Sequence, residues 1–280
     1  MTAISADWLA RGAERSLRSA VKAAAGLADV VRRPSTGVVI LLYHRVGARS
    51  PTSVDLPAAL FEEHMASLRA HHDVVTLEDA LGALRGERPG PCVAVTFDDG
   101  TADLVEVALP ILQRHGIPST WYIATEFVDE QRPFADDGTP LTWSALREAT
   151  STGLVSVGSH THRHRLLDRA TGPEIDDELT RSIDLIAEQL GRPPLDFAYP
   201  KALRGSATAE VAVKARFRSA ALAGTHANVV GQTDPYRLAR SPIQVSDQHL
   251  WFRRKVRGGM GLEDDLRRLV NRRRYVGATT

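Results

Sequence analysis

Three of the ten histidines fall within five positions, in Ser159-His160-Thr161-His162-Arg163-His164. His160 and His164 stand four apart, a spacing that sets two imidazoles on one side of a helical turn where both reach one divalent cation. A second polar cluster, Asp98-Asp99-Gly100, follows the apolar run Val93 to Phe97. Adjacent residues at a strand end point in different directions, so one carboxylate can ligate a cation while its neighbour faces a substrate. The other reading is that the two aspartates cap a helix beginning near Thr101. A carboxylate with two imidazoles leaves coordination positions open, which is the pattern of a catalytic site. Such an ion polarises a carbonyl and acidifies water, and Asp98 is placed to take the proton. The remaining need is a proton donor for a leaving group. His44, at the end of Val38 to Tyr43, is available, although a buried histidine bonded to backbone has the same signature. Ser159 or Thr161 could steady a ligand by hydrogen bonding, with His162 and Arg163 solvated or behind the ligands.

Such residues need strands that end at one place. From residue 38 onward short β-branched runs alternate with helical patterns, as in βα units on a parallel sheet. Strands are expected at 38–43, 74–76, 92–97, 119–124, 154–158, 196–199 and 219–223, with helices near 57–71, 78–85, 102–115, 142–150, 174–190 and 207–216. Seven strands at irregular spacing predict an α/β fold, a distorted or incomplete (β/α) barrel whose chemistry sits at the strand ends. Residues 4, 8, 17, 21, 24, 28 and 31 recur at helical spacing between basic residues and predict an N-terminal amphipathic helix, interrupted near Gly12 or Gly26. The expected organisation is a helical extension over 1–33, a catalytic domain over 34–251 and a basic helical tail over 252–280.

With these motifs in place, Thr96-Phe97-Asp98-Asp99-Gly100 and His160-Thr161-x-x-His164 resemble the first two motifs of the NodB-type polysaccharide deacetylases, carbohydrate esterase family four. Leu141-Thr142-Trp143-Ser144 and Phe197-Ala198-Tyr199-Pro200 are similar to segments of the same family. The resemblance covers roughly residues 38 to 245. It implies Asp98 as general base, Asp99, His160 and His164 as metal ligands, and the Tyr199 backbone N–H as oxyanion donor. Leu42-Tyr43-His44-Arg45-Val46 resembles the opening of the permuted branch, in which the acid histidine comes first; this implies His44 as the acid, with His226 and His249 the next candidates. The arginine that orients the base in many members is missing beside the tyrosine, and Arg240 resembles the late arginine of the permuted branch. Lys201-Ala202 stands where the family commonly has an aromatic-Gly pair. The implied activity is metal-dependent hydrolysis of an N-acetyl group on an amino sugar of a polysaccharide or glycan precursor. A non-sugar amide or cyclic imide on the same site, or a non-catalytic carbohydrate-binding scaffold, are the other readings. Asp with two His suits one divalent ion, zinc being the expected occupant.

Composition narrows the partners. Thirty-five Lys and Arg against thirty-four Asp and Glu leave a net charge of +1, which argues against nucleic acid. The single Cys92 excludes a disulfide framework or a thiolate zinc site. Residues 1–33 carry +3 and residues 252–275 carry +6, which leaves −8 on the rest. Any anionic partner, such as a membrane surface, is thus expected at the two basic segments. The absence of a long apolar run or a leader-like start predicts a cytoplasmic protein, whose N-terminal helix packs on its own domain or a second subunit or, in the other reading, meets a membrane surface. Oligomeric state is not legible.

Overall fold

The computed structural model describes residues 19–135 and 137–274, with side chains to residue 270. Helix α1 spans 19–31. Then follow β1 (Val38–Tyr43), β2 (Arg45–Val46), β3 (Asp55–Leu56), α2 (Ala58–His71), β4 (Val74–Val75), α3 (Leu77–Leu84), β5 (Cys92–Phe97), α4 (Leu109–His115), β6 (Ser119–Ile123) and α5 (Thr125–Asp129). The chain continues with α6 (Trp143–Ser151), β7 (Val155–Ser159), α7 (Gly172–Leu190), β8 (Asp196–Ala198), α8 (Ala207–Arg216), β9 (Ser219–Ala221), β10 (Arg240–Pro242), α9 (Gln248–Lys255) and α10 (Gly261–Arg274).

Seven parallel strands run in the order β10-β1-β5-β6-β7-β8-β9. A parallel bridge between Ala221 and Leu238 joins the two ends, so the sheet is a nearly closed barrel, as expected. The membership differs by one strand. The Val74 run pairs only with the lower part of β5, at Val93 and Ala94, while β6 takes the upper part from Val95. The seventh barrel strand is β10, which pairs with β1 through Ile40 and Arg240. Sequence periodicity misses it because three residues ending in proline carry no β-branched run.

Alternation along the strands divides the core. Val38, Ile40, Cys92, Ala94, Ala198, Ala221 and Leu238 pack together with Tyr122 and with Leu77 and Leu81 of α3, which closes the base. Val39, Leu41, Val93, Val95 and Phe97 pack outward against α2 and α4. Pro110 lacks the N–H that would reach Glu106, and the turn before it, Leu104–Ala108, widens to π geometry.

The terminal segments differ from expectation. Residues 1–18, half of the expected N-terminal helix, lie outside the described residues. Helix α1 is unbroken at Gly26, where an added Cβ would stand 2.8 Å from the Trp251 ring. Its buried face is ionic: Lys22 pairs with Asp247 and, at 2.7 Å, with Glu263 of α10. Val31, one of the apolar residues at helical spacing, is 86% exposed. The expected boundary after residue 251 falls inside α9, whose Phe252 belongs to the core and stacks on His64 at 3.7 Å.

Candidate active site

The ends of β1, β5, β7 and β8 and the start of β10 converge on one polar cluster. Gly100 (φ 99°) turns the chain directly after β5, close against Ile123. Asp98 and Asp99 do not cap the following helix. Asp98 is buried and accepts two hydrogen bonds from Arg240, Nη1 to Oδ1 at 2.5 Å and Nη2 to Oδ2 at 2.7 Å. Arg240 is wholly buried and also donates to Leu222 O and Thr96 Oγ1, both at 3.3 Å. Its guanidinium lies 5.0 Å from the centre of the Tyr122 ring. That ring lies on Gly158, where an added Cβ would stand 2.4 Å from it, so any larger residue would displace the shelf beneath Arg240. Burial alone would raise the Asp98 pKa; the charge and hydrogen bonds of Arg240, together with His160 and His44, outweigh it and hold the carboxyl below its usual range.

Asp99, with φ 75°, turns to the other side and meets His160 and His164. One ligand atom from each of the three lies within 4.8 Å of the others. Asp99 Oδ1 is 3.4 Å from His164 Nε2 and 3.7 Å from His160 Nε2. The two imidazoles do not sit on a helical turn, as their spacing suggested. The chain leaves β7 irregularly, with Thr161 and His164 both left-handed (φ 65° and 58°), and brings the ring centres to 4.9 Å.

The donor chemistry fits a cation. His160 Nδ1–H donates to Ala198 O at 2.8 Å, which fixes the tautomer and leaves the Nε2 lone pair facing the carboxylates. Burial pushes His160 down and His164 to about 3, so both rings are neutral at pH 7. The Asp99 carboxyl, which burial alone would raise, is lowered by His164, His44, His160 and Lys201. Two neutral imidazoles beside one carboxylate are ready ligands. A carbonyl of β8 steadies His160, whereas Ser159 bonds Ser182 at 2.7 Å and holds no ligand. His162 is buried on Thr125 at 3.0 Å, and Arg163 pairs with Glu126, Asp177 and Glu178.

His44 stands at the end of β1, close enough for its charge to act on both Asp98 and Asp99. Its Nδ1 is buried without a hydrogen-bond partner among the described residues. The two fallback histidines lie elsewhere: His249 pairs with Glu63 on the outer helices, and His226 lies beside Arg237 and Arg268 under α10. Tyr199 corrects the expectation most directly. Its N–H donates to Ala221 O at 3.1 Å, continuing the β8–β9 ladder, so it is not offered to an oxyanion. Sequence reasoning noted Lys201 but gave it no role; it follows Pro200 in a left-handed turn (φ 53°) and acts electrostatically on Asp99 and His164. The signal was its place in the loop after β8, where an aromatic residue was expected.

Residues 85–220 match the model of the polysaccharide deacetylase family. The poly-beta-1,6-N-acetyl-D-glucosamine N-deacetylase of Escherichia coli (strain K12) is 30% identical over 141 residues, 46% of this chain and 21% of that protein. Its namesake in Staphylococcus aureus (strain MRSA252) is 29% identical over 153 residues, 51% of this chain and 52% of that protein. The chain thus spans about half or less of these relatives. IcaB from Ammonifex degensii has the same fold, with a TM-score of 0.71 at 24% identity over 78% of this chain and 98% of that one. The Streptococcus pyogenes deacetylase PplD, solved with acetate, gives 0.66 at 22% over 76% and 94%.

Proposed function

We propose that this protein removes the acetyl group from N-acetylated hexosamine units of a polysaccharide by hydrolysis. One observation carries the reading: Asp98, gripped at both oxygens by Arg240, lies beside the Asp99, His160 and His164 trio, with His160 Nε2 3.7 Å from Asp98 Oδ2. In this reading a general base and a cation site stand side by side at one barrel mouth. The names of the two curated relatives support the substrate class.

Asp99, His160 and His164 hold one divalent metal ion in this reading, zinc foremost. When bound, it supplies the positive charge that polarises an acetamide carbonyl and makes water more acidic. Asp98 accepts the proton of the attacking water, and Arg240 keeps that carboxylate ionised and fixed in direction. His44 gives a proton to the departing amine, so the C–N bond breaks to a neutral amino sugar and acetate. Lys201 replaces Tyr199 as the group of the β8 loop that faces developing negative charge.

The test is acetate release from a β-1,6-linked N-acetylglucosamine oligomer by protein loaded with zinc or other divalent ions, against simple non-sugar amides and cyclic imides. Release from the oligomer alone supports the proposal. Turnover of only the small amides or imides moves the activity to another amide class. Metal binding with no turnover of either identifies a scaffold.

A further inference from the structure

Helix α1 is amphipathic in the inverted sense. Its ionic face is buried, and its solvent face carries Leu27, Val30 and Val31, which are 71%, 67% and 86% exposed. Leu250, at the start of α9, is 59% exposed. Helix α10 repeats the pattern, with Leu262, Leu266, Leu269 and Val270 exposed. Eight of the eleven large apolar side chains exposed among the described residues therefore lie on these three helices. Scattered exposure is ordinary, but concentration on adjoining elements marks a surface that meets something apolar.

The chemistry beside this surface is cationic. A cavity of about 720 Å³ is lined by Leu250 and by Arg33, Arg253, Arg254 and Arg257, with Asp29 the only carboxylate. Asp29 is engaged by the Met260 N–H and faces Arg254. Arg33, Arg253 and Arg257 have no ion-pair partner among the described residues. No described helix is long and apolar enough to cross a membrane.

We propose that α1 and α9 form a docking surface for an anionic phospholipid bilayer, with Leu27, Val30, Val31 and Leu250 entering the interface and Arg33, Arg253 and Arg257 receiving lipid phosphates. Charge selects this occupant. Among the described residues, 19–33 carry a net +2 and 252–270 a net +3, against −8 over 34–251, so an anionic surface attracts this face and repels the remainder, which orients the barrel. A second copy meeting the same face would bring like charges together.

The full chain is sedimented with vesicles of phosphatidylcholine with or without phosphatidylglycerol. The expected result is capture that requires phosphatidylglycerol and falls about tenfold or more both in Leu27→Glu/Val31→Glu and in Arg33→Glu/Arg253→Glu. All four side chains are on the surface, and circular dichroism should be unchanged. Inorganic phosphate at millimolar level should not compete. Absence of capture, capture indifferent to Leu27→Glu/Val31→Glu, or release by phosphate overturns the proposal. So does a dimer in solution that Leu27→Glu/Val31→Glu converts to monomer, since the surface then belongs to a second copy.

Discussion

Arg240 and Asp98 form a two-pronged ion pair inside the barrel, with Nη1–Oδ1 and Nη2–Oδ2 at 2.5 and 2.7 Å and neither side chain open to water. The arginine comes from the strand that closes the barrel, and the carboxylate from the end of the strand two places away. The pair therefore couples closure of the sheet to the direction of the carboxylate. Arg240→Met should destabilise the protein by about 3–5 kcal/mol, because a buried charge loses its partner. Adding Asp98→Asn should recover a large part of that loss in urea titrations, whereas additive losses would mean that the two residues act separately.

Asp98→Asn alone should keep its metal and lose about 100- to 10,000-fold in turnover, because the amide has the shape of the carboxylate without its basicity. Retention of a tenth of the rate would remove Asp98 from the base role.

His160→Ala and His164→Ala should each lower metal affinity by about tenfold or more, read by elemental analysis after equilibrium dialysis. Unchanged metal content in either variant would mean that the trio is not the binding site.

His44→Ala should leave metal content intact and depress amide hydrolysis far more than hydrolysis of a phenyl acetate, whose leaving group departs without a proton. Equal losses on both substrates would assign the histidine to holding β1 and β2 instead.

His64 makes a prediction about stability. It accepts from Tyr43 OH at 3.3 Å, donates through Nε2 to Gln248 O at 3.4 Å, and burial pushes it down to about 4. The folded state therefore binds fewer protons than the unfolded chain between about pH 4 and 6.5. The stabilisation is complete above pH 6.5 and drains as pH falls to 4, by about 3 kcal/mol in all. His64→Gln should show a shallower dependence of urea midpoint on pH over that window; an identical slope would place the titration elsewhere.

The residue types at the site were legible because chemistry confines them: adjacent aspartates after a strand and two histidines four apart have few structural uses together. Their route into contact was not, since it depends on the left-handed turns at Asp99, Thr161 and His164, to which the sequence pattern gave no clue. Tyr199 was misread for a related reason. A shift of one or two residues at a strand end decides whether an N–H belongs to a ladder or to a pocket, and motif likeness does not resolve that register. Strand β10 escaped notice because it is short and polar, and Arg240 was placed after the sheet when it lies within it. The amphipathic pattern of α1 was visible, but which face turns inward depended on Asp247 and Glu263, more than two hundred residues away.

The pairing of β1 with β10 has a consequence for how the protein is born. Asp98 leaves the ribosome 142 residues before Arg240. During synthesis β1 can be flanked by β5 on one side only, and its other edge stays bare until the final strand of the barrel emerges. Over that interval the carboxylate has no counter-charge and gains nothing from being sealed away from water. Inserting β10 fills the open edge and neutralises the carboxylate in one event, so a nascent chain truncated before residue 240 would carry the ligand trio yet remain inert.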